Sequence, residues 1–274
     1  MYLVIEKGDD EKPLLCSLFS EWGYPLVHLG YAFELDSAEF ALEALTLAAT
    51  NYDEASNTLY DEICNQEEEP TKSLIGCLQS LSMDGACKEL AWSEGDSYKH
   101  SPLQANPTLI KNYVHSVDLS PERYANSLEG DKLAVLLLIS SYKPKTCEFD
   151  YSFGQCLASR YALRVILPNC LTETKKNVCI EHWMLIVSTF LAQSCPKIDE
   201  SLVCKFDSPL GSWDEMIALA ISGQYSTDAL FVKTIRIIHA FNDIHGPLDG
   251  FWLQAASRFA TQFTKWAGLG KKED

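Results

Sequence analysis

Tyr24, His28 and Tyr31 recur at i, i+4 and i+7, so one helical face carries an imidazole between two phenols. Such a face packs its ring bodies inward while offering three polar tips. It serves either to line a pocket for a flat aromatic ligand or to hold a buried, hydrogen-bonded histidine, and the residues alone leave both readings open. A second polar stripe runs through Lys233, Arg236, then His239 or Ala240, then Asp243, in a segment otherwise rich in Phe231, Ile235, Ile237 and Ile238. A helix apolar on most sides is usually buried. Its polar residues then reach solvent along one edge or face an internal cavity. The other histidines are His100, His115, His182 and His245, and no two histidines form the H-x-x-x-H pair of a metalloprotease helix. His182 lies off the apolar stripe of its helix and reads as exposed. His245 stands before Gly246-Pro247, in a last turn where the helix dipole favours a cation. No G-x-S-x-G, Walker loop or G-x-G-x-x-G is present, so a serine hydrolase, a P-loop NTPase and a Rossmann enzyme are unsupported.

The elements that must position these groups read as helices. Pro25 suits a first helical turn, and the run to Phe33 breaks around Asp36. Asp36-Ser37 caps a following helix with Phe40, Ala44, Leu47 and Ala48 on one face. Ser212 and Glu215 form a capping-box pattern ahead of Trp213, and Gly223 stops that helix. Ile180, Trp183, Met184, Val187 and Leu191 hold helical spacing until Pro196. Trp252, Ala255, Ala256, Phe259, Phe263 and Trp266 form the clearest stripe, which reads as core. Residues 133–139 are apolar throughout and fit a buried strand or a buried helix that Asp131 would cap. Residues 53–69 read as an acidic, solvated stretch and residues 93–107 as a long loop. The expected fold is all-α, one multi-helix domain over residues 1–274.

Composition narrows the partners. The chain has 274 residues, with 38 acids against 22 bases and a net charge of −16. Such a field repels phosphates, which excludes nucleic acid and anionic membrane as partners. The ten cysteines contain no C-x-x-C pair. With no signal peptide and no spanning stretch, we read a soluble, cytoplasmic protein whose thiols are all free.

Three segments carry a resemblance. Residues 25–49, PLVHLGYAFELDSAEFALEALTLAA, are similar to the signature of the questin oxidase-like proteins, H-L-G-Y-x-x-E-F before an alanine- and leucine-rich helix. Residues 149–159, FDYSFGQCLAS, resemble the family segment F-D-F-x-x-M-H-x-x-T-S. Residues 228–240, DALFVKTIRIIHA, resemble D-A-H-x-x-K followed by an apolar helix. The resemblance implies an all-helical oxidoreductase, a monooxygenase or Baeyer–Villiger-like oxidase of anthraquinone-type polyketides, with iron and NADPH as cofactors. On it, His28 is the acid/base or metal ligand and Lys233 the anion- or oxygen-binding group. Tyr24, Tyr31, Gln155, Leu230 and His239 would line the site for a small hydrophobic molecule. Gln155 and Leu230 replace the family's histidines, and the chain starts past a family segment with N-H-x-x-H-like histidines. Gln is a poor iron ligand and Leu none. Two functions therefore stand: an oxidoreductase with a degraded metal site, or a non-catalytic relative that keeps the scaffold for binding. In either case Tyr24, His28 and Tyr31 are expected to face Lys233 and Gln155.

Overall fold

In the computed structural model, which describes residues 15–51, 63, 69–85, 107–207 and 209–268, the first long helix begins with a kink. Within α1 (Ser20–Glu34), Glu21, Trp22 and Gly23 take positive φ of 49°, 57° and 78°, and regular helix follows. Pro25 therefore stands in the first regular turn, where its missing N–H breaks no bond. A Cβ on Gly23 would come within 3.0 Å of both Ser159 and Leu185, so this kink is also a close crossing. Asp36, at φ 47°, turns the chain into α2 (Ala38–Thr50), whose N-cap Ser37 accepts from the Phe40 amide at 3.4 Å. The buried face of α2 is Ala41, Ala44 and Ala48. Phe40, expected inside, is 40% exposed, because a row of alanines lets α2 lie close to its neighbour and leaves the larger ring at the rim.

The remaining helices are α3 (Leu74–Met83), α4 (Pro107–His115), α5 (Pro121–Tyr124), α6 (Leu128–Ser140), α7 (Tyr151–Ile166), α8 (Thr172–Ala192), α9 (Ser201–Cys204), α10 (Trp213–Ser222), α11 (Ala229–His245) and α12 (Phe251–Gln262). Two three-residue strands, β1 (Glu148–Asp150) and β2 (Lys265–Ala267), pair in parallel with Phe149 opposite Trp266. Residues 133–139 are helix, buried throughout, within α6. Its cap is Ser127, which accepts from the Gly130 amide at 2.8 Å, and Asp131 lies inside the first turn. The capping box on α10 forms as its sequence predicts. The stripe on α12 is buried as far as Phe259, but the helix ends at Gln262, so Phe263 is extended and Trp266, expected on the same helical face, lies part-buried in β2. Gly246, at φ 76°, closes α11.

Helix α7 is the axis of the molecule, packed by α1, α6, α8 and α11. The tightest crossing puts Gly30 of α1 against Ala162, where an added Cβ would lie 2.8 Å from the alanine's. Asp150 caps α7 by accepting from the Ser152 and Phe153 amides at 2.8 and 3.2 Å. Burial outweighs those bonds and raises its carboxyl to a pKa of about 6. One continuous apolar core joins the described helices. No two of the eight described cysteines are joined in a disulfide, and no described helix is long and apolar enough to cross a membrane. Most of 53–69 and all but the end of 93–107 lie outside the described residues.

Candidate functional site

Three helices bring motif residues together. His28 and Tyr31 come from α1, with the Tyr24 ring 4.5 Å from the His28 ring. From α11, the Lys233 ammonium lies over the Tyr31 ring, 5.2 Å from its centre, and the Arg236 guanidinium lies 5.7 Å from the same ring. From α7, Tyr161 donates to Glu34 Oε1 at 2.8 Å, and Arg236 donates to that same oxygen at 2.7 Å. Glu34 thus ties α1, α7 and α11 at one atom and holds Arg236 against two phenol rings, Tyr31 and Tyr161.

The charges here are unevenly matched. Arg236 has Glu34, while Lys233 is half-buried and meets no carboxylate among the described residues. Burial lowers the pKa of Lys233. Burial also lowers that of His28, helped by the Lys233 charge and opposed by Glu43, whose carboxylate lies 4.0 Å from Nδ1. The imidazole is therefore held in its neutral, proton-accepting form. Tyr31 is raised, by burial first and then by Glu34 against Arg236, and Tyr161 is raised to about 12 by burial and its bond to Glu34. Both phenols stay protonated.

The other residues singled out in the sequence lie elsewhere. Gln155 is 2% exposed; its Nε2 donates to the Tyr151 hydroxyl at 2.8 Å and its Oε1 is buried without a hydrogen bond. Leu230, one turn before Lys233 on α11, packs on Gly154, where an added Cβ would lie 3.0 Å from its methyl and from Trp266. These two sit in the aromatic packing around β2. His239 stacks on Trp213 at 4.5 Å, with Asp243 at 3.8 Å, so its partners are separate from those of His28.

His182 is buried completely, not exposed. Its Nδ1 lies 2.7 Å from the Tyr124 hydroxyl and its Nε2 3.2 Å from Ser159 Oγ. Ser159 gives its own proton to the Cys156 carbonyl at 2.9 Å. The imidazole Nε2–H therefore donates to Ser159, and Nδ1 accepts from Tyr124, which is a neutral tautomer. Burial, with the nearby Arg160 charge, holds its pKa well below the ordinary histidine value. Beside it, Asp131 pairs with Arg160 at 2.7 Å, with His245 Nε2 at 2.7 Å and with Arg164. Burial pushes the Asp131 carboxyl up, but Arg160, His245 and Arg164 outweigh it and keep the pKa below the ordinary value. His245 thus ends α11 on a buried carboxylate as well as on the helix dipole.

Two recesses complete the geometry. One beside Tyr31, lined by Val27, Gly30, Ala158 and Tyr161, holds about 10 Å³, room for one water. A cleft of about 460 Å³ lies away from the motif residues, lined by Val114, His115, Asp118, Leu119, Lys176 and Ile180.

The match to known families bears on this arrangement directly. A family model described as questin oxidase-like fits residues 2–238 of the 274. The chain belongs to the questin oxidase-like family. No curated protein matches it. Membership raises the question of the iron that the resemblance implies. Among the described residues no three His, Cys, Asp or Glu side chains gather as metal ligands. His28 has one carboxylate within reach and the Lys233 charge beside it, which repels a cation. That donor set does not fit an iron centre. Glu34, Arg236 and Tyr161 belong to the same cluster, and motif matching undervalued them. Glu34 lies three residues after Tyr31 on the same face, and that spacing was the available signal.

Proposed function

We propose that this questin oxidase-like chain is an oxidoreductase that takes a hydroxylated aromatic small molecule at the His28–Tyr31–Lys233 cluster. The observation that carries the reading is Lys233: a half-buried ammonium with no carboxylate partner among the described residues, in a chain of net charge −16. An uncompensated cation at that depth favours an anionic oxygen. A ligand phenol gives its proton to His28, and the resulting phenolate oxygen faces Lys233 Nζ. Tyr24 and Tyr31 supply flat ring surfaces for the ligand's apolar body. A phenolate ring is the electron-rich form that an oxidant attacks, which links the cluster to an oxidase family.

The experiment is a titration with a hydroxyanthraquinone, followed by the red shift of its visible band on ionisation. The wild-type chain should bind it as the phenolate, and Lys233→Gln and His28→Gln should each weaken binding at least tenfold. Unchanged affinity in both variants would refute the reading. The packing of Gln155 and Leu230 into the core favours a second reading, a non-catalytic relative that binds without oxidising. In that case the ligand is recovered unchanged and no dioxygen is consumed with NADPH present.

A further inference from the structure

We propose that Lys233 is a carbonyl-reactive amine, condensing with a small aldehyde or ketone to form an imine while His28 passes the proton. The inference rests on the reading of the cluster as a ligand site, and it adds a covalent activity that the oxidase reading does not contain.

Several features of Lys233 set it apart from other lysines of the chain. Lys132, Lys197 and Lys265 each meet a carboxylate, at 2.7, 3.1 and 2.7 Å, which stabilises the ammonium and removes the nucleophilic lone pair. Lys233 has no such partner among the described residues and is half-buried against the Tyr31 ring. Arg236, one turn on, brings a second cation to that same ring. Desolvation and a neighbouring cation are the two settings that activate lysine as a nucleophile. The direction of its pKa, lowered by burial, agrees. The second requirement is a base oriented by a third group. His28 stands on α1 one turn before Tyr31, whose ring carries Lys233, and Glu43 Oε2 stands 4.0 Å from its Nδ1. Tyr24 steadies the imidazole by packing on it.

The step balances without an oxidant. Lys233 first loses a proton to solvent. Its Nζ lone pair forms the N–C bond, and the carbonyl π pair moves to oxygen, which takes up a proton from solvent. His28 accepts one proton from nitrogen and returns it to the carbinolamine hydroxyl. The nitrogen lone pair then forms the C=N bond as the C–O bond breaks and water leaves. The sum is ammonium plus carbonyl giving protonated imine plus water.

The test uses the full chain at neutral pH with 4-hydroxybenzaldehyde and cyanoborohydride, which converts an imine to a stable secondary amine. Peptide mass spectrometry then reads the rate at each lysine. We expect Lys233 to acquire the adduct at least tenfold faster than Lys197 and Lys265, although these are 86% and 68% exposed. His28→Gln should slow the Lys233 adduct at least fivefold and leave Lys197 unchanged. Modification of Lys233 no faster than that of the two surface lysines would overturn the proposal, and an unchanged Lys233 rate in His28→Gln would overturn the role of the histidine. The hydroxyanthraquinone titration on the same sample separates the two readings. Retained binding with slow labelling removes only the imine chemistry, and loss of both removes the cluster as a site.

Discussion

Lowering the pH from 7 to 5 should destabilise this protein through one buried side chain, His182. In the unfolded chain its imidazole takes a proton near pH 6.5. In the folded chain it is neutral, fully buried and bonded to Tyr124 and Ser159, with its pKa held well below that value. A depressed histidine contributes stability that is full above pH 6.5 and falls as the unfolded form protonates. The slope reaches about 1.4 kcal/mol per pH unit, and the loss between pH 7 and pH 5 is about 2 kcal/mol. Asp150 acts in the opposite sense. Its folded carboxyl, raised to about 6, protonates before the unfolded one and adds about 1 kcal/mol over the same interval. Wild type alone therefore shows a small net change, so the assay is a difference. Urea unfolding followed by circular dichroism at pH 7 and pH 5, on wild type and His182→Gln, cancels Asp150. The variant should lack the acid-side loss and differ in pH response by about 2 kcal/mol. Equal pH responses in the two proteins would refute the neutral, buried assignment.

Asp131→Asn should cost about 3–5 kcal/mol, because it leaves the buried Arg160 and its neighbours without their carboxylate, and thermal unfolding should fall by roughly 10 °C. Gly30→Ala should cost about 1–3 kcal/mol in the same melt, since its Cβ would sit 2.8 Å from that of Ala162, while Gly85→Ala, with no described atom within 4 Å of the added Cβ, should change little. All ten cysteines should react as free thiols in denaturant without reductant. Among the described cysteines in the native state, the exposed Cys204 should react first and buried Cys156, Cys170 and Cys179, with thiols raised to about 12, 11 and 12 by burial, should be protected.

What could be read from sequence was what is local. Ser37, the Ser212–Glu215 box and Pro25 each act within one or two turns and appear as their spacing predicts, and the α12 stripe does so up to Phe259, before the chain leaves the helix. Residues 133–139 were undecided because a uniformly apolar run has no period, and packing on all sides settled it as helix. Phe40 was misplaced because hydrophobicity alone cannot say that three alanines will be preferred at a close helix crossing. His182 was misplaced for a different reason. A polar residue off an apolar stripe defaults to solvent, and the partners that bury it, Tyr124 and Ser159, lie 58 and 23 residues away. The same distance hid Glu34, whose bonds to Tyr161 and Arg236 span 127 and 202 residues. The motif resemblance drew on three distant segments at once. It pointed to Tyr31 and Lys233, which the structure brings together, but it could not tell that Gln155 and Leu230 would be absorbed into the core packing.

The central claim is that ligand chemistry happens where α1, α7 and α11 meet. A crystal structure of the full chain grown with a hydroxyanthraquinone tests it most directly. The account predicts the ligand's hydroxyl oxygen about 3 Å from Lys233 Nζ, with its rings against Tyr24 or Tyr31. A ligand seated instead in the 460 Å³ cleft beside His115 and Ile180, with Lys233 untouched, would contradict it.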